Sequence, residues 1–277
     1  MSTMTSTDPV ATAPSDTVQR RGRVLHCVIS AAGHGSALNG EAVRRTTEEL
    51  HRLGPEIGAV LLAGEGPNFC TGGDVGAFAA AADPGALVRA MAAEFHAFQR
   101  AVAGAGVPVI AAVQGWAAGA GMSIVCLADI AVAGPSTRLR PAYPGIGFSP
   151  DGGMSWTLPR SVGAARARYI LLTNQVLDAD QALALGLVST VVPDDQVMAE
   201  AGRLAAQLAD GPTAALGRIK RLVRDGASAD FGAHLDAEAE QIAASAAGDE
   251  GREGVRAFVE RRPPRFHGEP AVPAPSR

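Results

Sequence analysis

Three short stretches carry residue types that can do chemistry. Two are glycine turns, Cys70-Thr71-Gly72-Gly73-Asp74 and Gly119-Ala120-Gly121, and the third is the carboxylate turn Pro150-Asp151-Gly152-Gly153. Glycine leaves backbone N–H groups uncovered, and a helix N-terminus adds the positive end of its dipole, so each glycine turn can offer a donor to an oxyanion. Two donors aimed at one oxygen would hold an enolate. Asp151 would then be the group that moves a proton. The residues alone leave a plainer reading open at each place: the glycines serve tight packing turns, and Asp151 forms a turn or caps a helix.

Absent patterns narrow the reaction type. Gly64 and Gly66 open a dinucleotide-like pattern, but Phe69 stands where the third glycine belongs. There is no Gly-Lys-Ser/Thr phosphate loop and no zinc-spaced histidine pair, and Ser123 lacks the flanking glycines of a nucleophile elbow. No metal site is therefore expected. Cys27, Cys70 and Cys126 are odd in number, widely spaced and set in apolar surroundings, which predicts buried thiols and a cytoplasmic, reducing location. With Lys+Arg 24 against Asp+Glu 28, the net charge of −4 argues against a nucleic-acid partner. No apolar run reaches the roughly 18 residues of a membrane span, so no membrane partner is expected.

These turns need rigid elements to hold them. Residues 24–29 have the β-branched content of a first strand, 31–40 form a loop, and 41–53 carry a loose helical period. Residues 59–63 and 108–113 are continuous apolar runs, as strands of a parallel sheet covered on both faces would be, and each ends at a glycine turn. Residues 78–100 predict a helix broken at Asp83-Pro84-Gly85. A helix over 122–127, a strand at 130–133, a loop over 139–153, helices at 164–172 and 178–185, and a strand at 188–192 complete an α/β core. The expected organisation is a disordered tail over 1–20, a core over 21–193, a helical module over 194–266 and a loose tail over 267–277.

Taken together, several motifs resemble the crotonase (enoyl-CoA hydratase/isomerase) superfamily. They are Asn68-Phe69-Cys70-Thr71-Gly72-Gly73-Asp74-Val75, Pro108-Val109-Ile110-Ala111-Ala112-Val113-Gln114-Gly115 leading into Gly119-Ala120-Gly121, and Ile146-Gly147-Phe148-Ser149-Pro150-Asp151-Gly152-Gly153. The resemblance spans about residues 24–266 and extends to Ala182-Leu183-Ala184-Leu185-Gly186-Leu187-Val188 and to the ending 258–266. It implies a spiral of ββα units, a C-terminal helical module that assembles homotrimers or dimers of trimers, and an acyl-coenzyme A substrate. Coenzyme A enters as part of that substrate, with no separate cofactor.

Carried over by position, the oxyanion N–H groups belong to Gly73 and Ala120, the latter standing where glycine is more usual. The two glutamates of the hydratase pattern are replaced by Ser123 and Tyr143, so syn-hydration by a glutamate pair is not expected. Asp151 stands where isomerase members carry an acid/base aspartate and dehalogenase-type members a nucleophile. The resemblance therefore implies an acyl-thioester isomerase that shifts a double bond through an enolate. A hydratase-like, dehalogenase or hydrolase-type enzyme and a non-catalytic acyl-thioester-binding protein remain as alternatives. His96 lies at the distance from Pro108 of the dehalogenase branch's histidine, and is read as a structural or pocket-edge residue. Trp116, Tyr143 and Phe148 would line an acyl pocket, with core packing as the alternative for Trp116. Arg262, beside Arg261 and Arg265, would meet the nucleotide phosphates or form an exposed helix end. Ala37-Leu38-Asn39 keeps part of the adenine-binding loop but lacks its longer basic lead-in, which leaves a carrier-protein thioester as the alternative substrate form.

Overall fold

Strands covered on both faces read as unbroken apolar runs, and Ala59–Gly64 is buried at every residue. The computed structural model describes residues 17–267. Most of the expected N-terminal tail (1–16) and nearly all of the C-terminal tail (268–277) lie outside the described residues. Within them the chain opens with β1 (Val18–Arg21) and β2 (Val24–Ala31), an antiparallel pair turned at Gly22 with φ +60°. Residues 18–20 thus belong to the sheet rather than to the tail, because Val18 pairs with Cys27 over the core. Next come β3 (Ala37–Leu38), α1 (Gly40–His51), β4 (Ala59–Gly64), α2 (Val75–Ala80) and α3 (Pro84–Gly104). The break between the last two falls where the sequence puts it: Asp83 caps α3 by accepting from Ala86 N–H at 2.9 Å.

The middle of the chain forms β5 (Val109–Val113), β6 (Trp116–Ala118), α4 (Ala120–Leu127), β7 (Ile130–Ala133) and β8 (Arg138–Arg140). After these come α5 (Met154–Val162), α6 (Ala164–Thr173), β9 (Leu177–Asp178), α7 (Ala179–Ala184) and β10 (Thr190–Val191). Four helices complete the described residues: α8 (Val197–Ala209), α9 (Thr213–Gly226), α10 (Phe231–Ala247) and α11 (Asp249–Val259).

The large sheet runs β1-β2-β4-β5-β7-β10, with β3 paired beside β2, and is parallel from β2 to β10. A smaller sheet runs β6-β8-β9. Strand alternation gives the large sheet two apolar faces. Val60, Leu62, Val109 and Ala111 pack in one core with Phe98, Val102, Met122 and Ile124. Leu61, Ala63, Ile110 and Ala112 pack in the other against Ala201, Ala205 and Ala209 of α8. Those three alanines, four residues apart and fully buried, let α8 lie close on the sheet. So α8 belongs to the core, and the helices that stand off the sheet begin at α9, later than the boundary at 194.

Candidate active site

β4 and β5 are neighbours in the large sheet, and the second glycine turn follows not β5 itself, as the sequence suggests, but β6, the short strand of the smaller sheet that comes after it. A parallel bridge between Cys70 and Ala117 ties the two turns: Cys70 N–H donates to Trp116 O at 3.0 Å and Ala118 N–H to Cys70 O at 2.8 Å. Gly72, at φ +107°, and Gly119, at φ +52°, take backbone conformations that L side chains rarely adopt. Gly121 is fixed by contact instead, since a Cβ there would lie 2.2 Å from Cys70 O.

Gly119 is the N-cap of α4 and Ala120 its first residue. The left-handed conformation therefore falls on Gly119, Ala120 keeps an ordinary φ, and its methyl group is accommodated where glycine is more usual. Among the described residues, neither Gly73 N–H nor Ala120 N–H has a hydrogen-bond acceptor within the protein. Both residues line one cavity of about 570 Å³.

Asp151 lines the same cavity. It does not cap the following helix: the N-cap of α5 is Gly153, with no side-chain bond. Its carboxylate instead accepts from Tyr143 Oη, 2.7 Å from Oδ1. The backbone around it is held by four side chains. Ser123 Oγ donates to Asp151 O at 3.2 Å, and Tyr143 Oη approaches the same oxygen at 3.4 Å. His96 Nε2 accepts from Gly152 N–H at 3.1 Å, and the buried Gln99 donates from Nε2 to Gly152 O at 2.7 Å. Gly152 has φ +60°, and a Cβ there would lie 2.2 Å from the Phe95 ring, so the turn rests directly on α3.

This arrangement leaves Asp151 Oδ2 without a hydrogen-bond donor among the described residues; His96 Nε2 is 3.9 Å away. Because that nitrogen accepts from Gly152, the ring proton is assigned to Nδ1. Burial, reinforced by the charge of Asp151, raises the Tyr143 phenol above its ordinary pKa, so it stays protonated and donates. The Cys70 thiol, although beside the first glycine turn, is pushed up to about 12 by burial, which suits packing rather than nucleophilic attack. Asp74 caps α2 through Ala77 N–H at 3.1 Å.

Of the residues selected from the sequence, Gly73, Ala120, Tyr143, Phe148 and Asp151 meet at the cavity. Trp116, Ala37 and Arg262 are not among its lining residues. Trp116 opens β6, 37% exposed, with its N–H bonded to Asn68 Oδ1. Ala37 pairs with Ala31, and its neighbour Leu38 reaches the cavity. The Arg262 guanidinium is engaged by Glu253, at 2.6 and 3.0 Å, and by Glu260 at 2.6 Å. Sequence reasoning missed Gln99 and the apolar wall of Phe78, Val88 and Met91. The wall had a signal in the helical spacing of Val88, Met91, Ala92 and Phe95, which reads equally well as a core stripe.

Comparison with known proteins shows the family. The family model described as "Enoyl-CoA hydratase/isomerase" matches residues 25–269. A "Probable enoyl-CoA hydratase" of Rhodobacter capsulatus is 37% identical over 233 residues, 84% of this chain and 90% of the relative. The 1,2-epoxyphenylacetyl-CoA isomerase of Escherichia coli is 36% identical over 217 residues, 76% of this chain and 82% of the relative. The 4-chlorobenzoyl coenzyme A dehalogenase-1 of an Arthrobacter species is 33% identical over 214 residues, 76% and 78% of the two chains. With this coverage, two facing glycine turns and a spiral α/β core, the chain belongs to the enoyl-CoA hydratase/isomerase family of the crotonase superfamily.

Proposed function

We propose that this enzyme is an acyl-CoA isomerase that shifts a carbon–carbon double bond through a thioester enolate. The observation that carries the reading is Asp151, the one carboxylate among the described residues lining the cavity, beside the N–H groups of Gly73 and Ala120. Asp151 Oδ2 takes a proton from one carbon of the enoyl chain, and the electron pair moves onto the thioester oxygen. The two N–H groups stabilise that oxyanion. The protonated Asp151 then returns its proton to the other end of the allylic system, so no water, metal or redox partner is consumed. Tyr143 keeps Oδ1 occupied, and so reserves Oδ2 for the transfer.

Hydration by two carboxylates lacks its second carboxylate among the described lining residues; Ser123 and Tyr143, which the resemblance sets in the glutamate positions, bond to the Asp151 turn. Incubation of the enzyme with 3-enoyl-CoA, followed by NMR, tests the reading. The expected product is 2-enoyl-CoA, and accumulation of 3-hydroxyacyl-CoA as the first product would contradict it. A second reading draws on His96, 3.9 Å from Asp151 Oδ2: a carboxylate nucleophile with a histidine to activate water, as a dehalogenase or hydrolase would need. The Gly152 N–H occupies the Nε2 lone pair that would take the water's proton, which favours isomerisation. The hydrolytic reading predicts an aspartyl ester at Asp151, detectable by mass spectrometry as ¹⁸O incorporated from labelled water. A homotrimer or dimer of trimers and a cytoplasmic location belong to the same proposal. Exposed apolar side chains on α9–α11 support the first, and three free cysteines the second.

A further inference from the structure

The wall of the cavity built by α2, α3 and the 146–149 loop is predominantly apolar. α2 and α3 contribute Val75, Phe78, Val88 and Met91 among others, and the 146–149 loop contributes Ile146 and Phe148, with Ser149 the one uncharged polar side chain from these elements. The rings of Phe78 and Phe148 stack on one another, with centroids 6.0 Å apart and planes inclined by 28°, and so join α2 to the 146–149 loop in one wall. Val75, Ile146 and Phe148 remain 50%, 45% and 40% exposed, an apolar surface that an apolar ligand would take out of water. Among the described residues, no lysine, arginine or histidine lines the cavity, and its carboxylate, Asp151, stands at the reacting end.

We propose that the acyl group beyond the thioester is uncharged and apolar, held against the wall formed by Phe78 and Phe148 with Val88 and Met91, and that an acyl chain ending in a second carboxylate is rejected. The proposal rests on the thioester reading of the site and adds to it the class of acyl group. A terminal carboxylate would lose its hydration against this wall without gaining a cation, and would share the cavity with the charge of Asp151.

The test compares two saturated thioesters of equal length, hexanoyl-CoA and adipyl-CoA, by calorimetric titration of the full-length enzyme; neither needs turnover. Hexanoyl-CoA is expected to bind at least about 30-fold more tightly, the penalty of an unpaired buried carboxylate. Val88→Arg, which places a cation in the wall, is expected to narrow the ratio by about tenfold or more through a charge-assisted pair. Equal affinity of the wild type for the two thioesters would overturn the acyl-class proposal and leave the isomerase reading standing. Failure of both to bind would remove the thioester reading and this proposal with it.

Discussion

Tyr143 and Ser123 act as hydroxyl partners of Asp151. Tyr143 donates to Asp151 Oδ1 at 2.7 Å, and Ser123 braces the same turn through Asp151 O. Tyr143→Phe removes a hydrogen bond to a charged group, worth about 1.5–3 kcal/mol, so kcat should fall about 10- to 100-fold. KM should change little, because the ring still lines the cavity; steady-state kinetics on 3-enoyl-CoA would show the split. A rise in KM with kcat intact would mark Tyr143 as a wall residue only. Gly121→Ala tests the other half of the site. Its methyl would meet Cys70 O at 2.2 Å, which should separate the two turns, cost about 1–3 kcal/mol and lower the thermal midpoint. At this scale the sequence carried the donors and Asp151, but not the aspartate's partners. The Tyr143 bond spans eight residues across a loop, and the His96 and Gln99 bonds to Gly152 reach across from α3. Tertiary contacts of that kind leave no local period to read.

α3 serves two purposes along its length. Phe95, Phe98 and Val102 pack into the core, while Val88, Met91 and Ala92 face the cavity, so a single apolar stripe reads as core throughout. α8 was misplaced for a related reason: its alanines give a weak signal alone and become informative only beside the tight apolar strands. α9 is docked by Lys220, which donates to Val102 O at 3.0 Å and pairs with Asp129 at 2.8 Å. α11 ends in a clasp in which Glu253 receives Arg262, Arg256 and the Arg265 N–H, and these partners hold its carboxyl well below the usual glutamate range. Because the folded-state pKa is depressed, the stabilisation is full above the ordinary glutamate range and fades only as pH falls toward the lowered value. Glu253→Gln should therefore reduce amide protection factors across α11 at neutral pH. The difference from wild type should shrink as the solution is acidified. A difference that persists unchanged into strong acid would show that the clasp acts by shape rather than charge.

On the scale of the whole molecule, the strands of the parallel sheet were legible because fully buried strands leave continuous apolar runs, while the spiral order of the units came only from the family resemblance. The helices from α9 onward carry several large apolar side chains that are exposed among the described residues. Val223, Phe231, Ile242 and Phe258 are 73%, 76%, 71% and 85% exposed, and apolar surface of that kind is what the proposed assembly would cover. Sedimentation velocity is expected to give a trimer or a dimer of trimers of the 28.2 kDa chain. The double variant Val223→Glu and Phe231→Glu should shift it to smaller species with its circular dichroism unchanged. A wild type that sediments as a monomer would contradict the assembly.

The central claim concerns one carboxylate and two N–H donors acting on an enolate, and proton exchange reports that step without depending on the position of equilibrium. In D2O, the wild-type enzyme should wash deuterium into both the α- and γ-carbons of an enoyl-CoA. Asp151→Asn, which keeps the shape and loses the base, should slow both exchanges together by about 10²- to 10⁴-fold. Equally slow exchange by wild type and Asp151→Asn would contradict the account.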